Sequence, residues 1–166
     1  MSDRPLPKPA RLWKQLSAER RHDTAVAFWS DSEDLTSQAE AIDAIARHLK
    51  FRARSVMGLP VEKRARYLCA LPAVSDTLAA RLLVTYHLVA QRPMMAAFLD
   101  ALGVPHEDGL ITADEVKVPD AETCRAAAKA LMAQYPEPDT TTYFATLLIQ
   151  DPETWKPLGD FVGATP

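Results

Sequence analysis

Apolar residues in this chain recur every three to four positions, and no stretch alternates for long. Ala25, Phe28 and Trp29 fall on one helical face, and Ala41, Ile42, Ile45 and Leu49 on another. The pattern predicts a short helix in "ARLWKQL", a second from near Ser17 and a third entered through "SDSEDLTSQ", where Ser37 and Glu40 have the spacing of a capping box, a start one turn earlier being the alternative. A connection with one helical turn leads to Pro60, which suits a helix start. Further helices are predicted over 76–91 and from Pro93 to a stop at Gly103. After a mostly irregular stretch, "VPHEDGLITADEVKVPD", come "AETCRAAAKALMAQY", "PDTTTYFATLLIQ" and one more turn in "PETWKPLGDF". Thr140, Thr141 and Thr142 read as the start of a helix after Pro138.

The fold class expected is therefore all-α. A compact multi-helix domain is expected over 11–166, behind a polar, proline-rich tail, 1–10, read as disordered. Sliding the chain by 43 positions superposes Arg11 on Arg54, Leu16 on Leu59, Glu19 on Glu62, Arg21 on Arg64 and Leu35 on Leu78. A period in the low forties is typical of helical repeats, and it suggests two tandem helical-hairpin units, 11–53 and 54–96, followed by C-terminal helices over 119–159. Convergence on a common pattern for helix starts would give the same matches.

The 76–91 helix has one narrow polar stripe, with Thr77, Arg81, Thr85 and Arg92, opposite Ala79, Leu82, Leu83, Tyr86 and Ala90. It is expected to be buried over most of its girth. Arg81, His87 and Arg92 are its candidate buried polar groups. His87 sits at the edge of the apolar face with no carboxylate, nucleophile or metal ligand one or two turns away, so a hydrogen-bonded structural histidine is the expectation.

Composition adds little beyond size and compartment. The 166 residues are 48% hydrophobic and 25% charged, as in ordinary globular domains. Cys69 and Cys124 are far apart, lack metal-ligand spacing and read as reduced buried thiols, a disulfide between them being the alternative. No segment has the length and apolarity of a membrane span or a signal peptide, so a cytoplasmic protein without membrane contact is expected.

Charge changes the picture more. The formal net charge of −3 conceals a basic first half and an acidic second half. The densest basic stretch is 47–66, where Arg47, Lys50, Arg52, Arg54, Lys63, Arg64 and Arg66 face Glu62 alone, with Phe51 and Tyr67 as nearby aromatics. Clustered cations suit nucleic acid or another polyanion through counterion release, or an acidic protein surface. A solvated face is the bland alternative.

"DGLITADE" partly resembles the calcium loop of the EF-hand family. With the loop set over 104–115, Asp108, Gly109, Ile111 and Glu115 fall at the fifth, sixth, eighth and twelfth positions. Val104 and His106 replace oxygen ligands at the first and third. The resemblance implies weak metal candidates in His106, Asp108 and Glu115. A turn at Asp108-Gly109 followed by a short helix capped by Thr112 and Glu115 accounts for the same residues. The chain has no phosphate-cradling glycine loop, nucleophile elbow or zinc motif. The leading functional expectation is a non-catalytic helical interaction protein with a protein partner and no cofactor. The alternatives are a nucleic-acid or polyanion binder using 47–66, and an enzyme or metal protein using His87 and His106.

Overall fold

The computed structural model describes residues 5–117 and 120–162. It is all-α apart from one two-stranded ribbon. The chain forms two compact units, the first being Lys8–Val89 and the second running from Ala90 onward.

The first unit contains α1 (Pro9–Gln15), α2 (Ala18–Ser30), α3 (Leu35–Leu49), α4 (Ala53–Met57), α5 (Val61–Ala70) and α6 (Asp76–Ala90). The order short, medium, long thus occurs twice. Arg11 and Arg54 are both exposed on the short member of their set. The unit boundary after Val89 falls inside the span expected for the second repeat, 54–96.

Most helix ends follow local chemistry. The Ser17 hydroxyl accepts the Arg20 N–H at 3.2 Å and starts α2. The Ser75 hydroxyl accepts the Leu78 N–H at 3.1 Å near the start of α6. Pro9 occupies the first turn of α1, so helix begins two residues inside the stretch expected to be disordered. Its fixed φ and missing N–H suit that position. Residues 1–4 of that expected tail lie outside the described residues.

The third helix takes the earlier of its two expected starts. It starts at Leu35, a turn before the Ser37–Glu40 box, with Asp34 at its N-cap. Glu40 instead accepts a hydrogen bond from the Ser75 hydroxyl. Asp34 is held from a distance, its Oδ2 accepting Arg81 Nε at 2.6 Å. Burial pushes the Asp34 carboxyl up, but hydrogen bonds from Arg81 and Ser37 outweigh it and hold the group below its ordinary value. A lowered folded-state value means that the pair stabilises the fold fully above the unfolded carboxyl's pKa, and that this is lost as pH falls through the lower folded value. Asp34→Asn is expected to cost about 1–2 kcal/mol near neutral pH. In urea titrations the gap to the parent protein closes in strong acid; a constant gap would contradict the assignment.

Inside this unit α2 packs along α5. Ala25, Phe28, Trp29, Ala65 and Leu68 are buried. The wheel reading of α6 is matched by burial of Ala79, Leu82, Leu83 and Tyr86; Ala90, placed on the same side, is exposed. Arg20 Nη1 donates to the Tyr86 hydroxyl at 2.8 Å.

The second unit contains α7 (Arg92–Leu102), strands β1 (His106–Glu107) and β2 (Leu110–Ile111), α8 (Ala121–Gln134), α9 (Glu137–Gln150) and a 3-10 helix, Lys156–Phe161. The end of α7 is as expected: Gly103 has φ 70°, and the Val104 N–H donates to the Leu99 carbonyl at 3.0 Å. Residues 118 and 119, at the expected start of the C-terminal helices, lie outside the described residues, and α8 begins at Ala121 with the Asp120 carboxylate accepting the Thr123 N–H at 2.8 Å. The core of this unit gathers Phe98, Tyr143, Phe144 and Trp155.

The stretch expected to be irregular holds a minimal hairpin. His106 pairs with Ile111 and Glu107 with Leu110, and the two turn residues, Asp108 and Gly109, both have positive φ (50° and 88°). This is the geometry of a type I′ turn, for which Asp-Gly is a favoured sequence. A Cβ at Gly109 would stand 3.0 Å from both the Arg92 carbonyl oxygen and Met95 Cβ. Gly109→Ala is therefore expected to cost about 2 kcal/mol, from left-handed strain and overpacking together. A denaturation midpoint equal to that of the parent protein would refute this.

Candidate anion-binding surface

The basic stretch begins on the last turn of α3, passes through the αL residue Lys50 and continues along α4 and α5. Lys50 ends α3 with φ 57° and ψ 36°, and the Phe51 N–H returns to the Ala46 carbonyl at 2.9 Å. A non-glycine residue in the left-handed region has a strained backbone, and here that residue carries one of the charges. The sharp exit turns Phe51 outward, and it remains 46% exposed. Its ring meets Tyr67 of α5 edge to face, with centroids 6.5 Å apart at 86°.

Arg47, Lys50, Arg52, Arg54, Lys63 and Arg66 are all exposed. Among the described residues none of these six makes an ion pair. The one hydrogen bond described for their side chains is local, from Arg47 Nε to the Asp43 carbonyl at 3.3 Å. Several other cations of the chain are neutralised internally: Arg81 by Asp34, Arg92 by Asp108 at 3.8 Å and Arg125 by Asp160 at 3.2 Å. None of these six charges is therefore neutralised by a direct ion pair among the described residues.

Arg64 stands apart from the other six. It is half-buried, with its guanidinium carbon 5.0 Å from the centre of the Trp29 ring and its Nε shielded from solvent. This cation–π contact ties α5 to α2, so Arg64 supports the surface rather than offering it a charge.

Between the end of α3 and the start of α4 lies an open cleft of about 670 Å³, lined by Asp43, Ala46, Arg47, Lys50, Phe51 and Ala53. Met57, on the same short helix as Arg54, is 61% exposed. Sequence reasoning named the cations and Phe51 but missed Asp43 and Met57. A helical spacing of four from Asp43 to Arg47 is the one signal that could have linked that carboxylate to the patch.

The other candidates arrange themselves differently. Arg81 is half-exposed, bound to Asp34 and 3.7 Å from Asp31. Arg92 donates to the Asp108 carbonyl at 3.0 Å and steadies the hairpin. His87 is buried, 2% exposed, with its ring 5.0 Å from that of Tyr86.

His106 is committed at both nitrogens. Nδ1 accepts the Gly109 N–H at 3.0 Å, and Nε2 meets Asp100 Oδ1 at 2.6 Å. The first bond leaves Nδ1 as an acceptor, so the proton sits on Nε2 and is donated to Asp100. His106 clasps the hairpin to the end of α7.

This geometry departs from a calcium loop. Val104, at the first ligand position, is a buried core residue, and Asp108 sits in a tight turn beside Arg92. The helix expected from Thr112 and Glu115 is absent, and 112–117 has no regular structure. Among the described residues no three His, Cys, Asp or Glu side chains come close enough to share a metal ion.

Both cysteines are free, and burial pushes each thiol's pKa up. No helix among the described residues is long and apolar enough to cross a membrane. No family model, curated protein or solved structure matches this chain.

Proposed function

We propose that this chain is a non-catalytic helical interaction protein whose partner is anionic and binds the exposed cations of α3, α4 and α5. One observation carries the reading: Arg47, Lys50, Arg52, Arg54, Lys63 and Arg66 project from one stretch of the first unit without an ion pair among the described residues. Like charges held close together repel one another, and an anionic partner relieves that repulsion while releasing its own counterions.

The non-catalytic part is supported by how the histidine–carboxylate pairs are used. His106 and Asp100 form a clasp with no ring nitrogen left over, and His22 and Glu62 form an exposed 3.0 Å pair between α2 and α5. Charge alone suits a nucleic acid and an acidic protein segment alike. Phe51, half-exposed among the cations, favours the nucleic acid. The second reading is an acidic protein partner, which Met57 favours as an apolar contact beside Arg54.

The test is a fluorescence-anisotropy titration of the full chain against a mixed-sequence single-stranded oligonucleotide and a polyglutamate peptide. It is run at about 50 and about 200 mM salt. The reading expects binding of at least one probe at the lower salt. If four phosphates of a single strand are engaged, affinity falls roughly 50-fold at the higher salt. No binding of either probe at low salt would end the proposal.

A further inference from the structure

The cleft at the end of α3 is not uniformly basic, and its composition narrows the partner. Its lining residues include one aromatic, Phe51, two cations, Arg47 and Lys50, and one acid, Asp43. An acidic peptide would bring a carboxylate up to Asp43. A nucleobase would not: it is uncharged, has a flat π-face and carries ring or amino N–H groups that a carboxylate can accept.

Phosphates are spaced along a strand away from the bases, and so would fall on the surrounding cations rather than on Asp43. The ring of Phe51 is braced by Tyr67 and half open to solvent, as a stacking platform requires. In a duplex the bases already stack on one another and present only their edges in the grooves, so such a platform has nothing to hold.

We infer that this cleft takes one unpaired base of a single-stranded nucleic acid, stacked on Phe51, with the flanking phosphates on Arg47, Lys50, Arg52 and Arg54. The inference rests on the basic face being the working surface, and adds to it the strandedness of the partner and the residue that senses it.

The experiment compares the full-length protein and its Phe51→Ala and Phe51→Tyr variants against three labelled probes. These are an oligodeoxycytidine of about 12 nucleotides, a duplex of the same length and a polyglutamate peptide. The expected result is tighter binding of the single strand than of the duplex. Phe51→Ala should weaken single-strand binding about tenfold, Phe51→Tyr should retain it, and duplex binding should be the same in all three. Circular dichroism confirms that the variants keep the parent helix content.

Equal binding of strand and duplex, with Phe51→Ala silent, would overturn the stacking site and leave the basic surface standing. Binding of polyglutamate alone would do the same and assign the surface to an acidic protein. Failure of all three probes at low salt would remove both the inference and the reading beneath it.

Discussion

An Arg52→Glu/Arg54→Glu double variant will lose at least about 100-fold in affinity for a single-stranded oligonucleotide at low salt, with unchanged helix content. Each reversal removes one positive charge and adds one negative, so a segment whose seven Lys and Arg face Glu62 alone falls from +6 to +2. A 100-fold loss is about 2.7 kcal/mol, or roughly 0.7 kcal/mol for each of the four charge units. That lies within the range of exposed charge contacts. The fold should not suffer: both side chains are exposed, and neither makes an ion pair among the described residues. Arg52 is the N-cap residue of α4, where a carboxylate is favoured by the helix dipole, which offsets a carboxylate placed at Arg54 in the last turn. Anisotropy gives the affinity and circular dichroism the helix content. Binding at parental strength would place the working surface elsewhere.

Phe98→Ala is expected to destabilise the second unit by about 3–5 kcal/mol. Phe98 is 1% exposed and touches three other rings, with centroids at 5.7 Å to Tyr143, 5.3 Å to Phe144 and 6.0 Å to Trp155. Phe144 passes the contact on to Phe161 of the 3-10 helix at 6.2 Å. Deleting the hub loses both the transfer free energy of a phenyl group and its edge and tilted ring contacts, and rigid neighbours cannot close over the space. Chemical denaturation followed by near-ultraviolet circular dichroism measures the loss. A cost below about 1 kcal/mol would mean that the aromatic cluster collapses freely and is not the organising core of this unit.

Elements whose limits are local chemistry were legible from the residues. Ser17, Pro93 and Gly103 each act within one turn of themselves, and each helix end lies where its cap or breaker puts it. Two starts were legible for α3, and what selects the earlier is long-range: its N-cap, Asp34, is fixed by Arg81, 47 residues further on, a bond that no local pattern carries. The hairpin was missed because two residues per strand are too few to show alternation, although its Asp-Gly turn was visible. His106 looked like a possible ligand until the ring was seen bonded on both sides. For the candidate surface, sequence gave the charges but not their state. Arg64 and Arg66 are equivalent on paper; one lies against Trp29 and the other faces solvent.

The threonines of α9 have a wider consequence. Thr140, Thr141, Thr142 and Thr146 each donate a hydroxyl to a carbonyl three or four residues earlier on their own helix, at 3.0, 2.7, 2.8 and 2.8 Å. Each thus spends its hydroxyl proton within its own turn and needs no neighbour to accept it. To the surrounding side chains such a threonine is a methyl group on a branched stem, close in shape to valine. Hydropathy scored residue by residue counts α9 as more polar than the surface it offers for packing. A helix of this kind can be sunk into a core while its sequence still looks half-solvated, and in α9 burial runs without interruption from Tyr143 to Leu148.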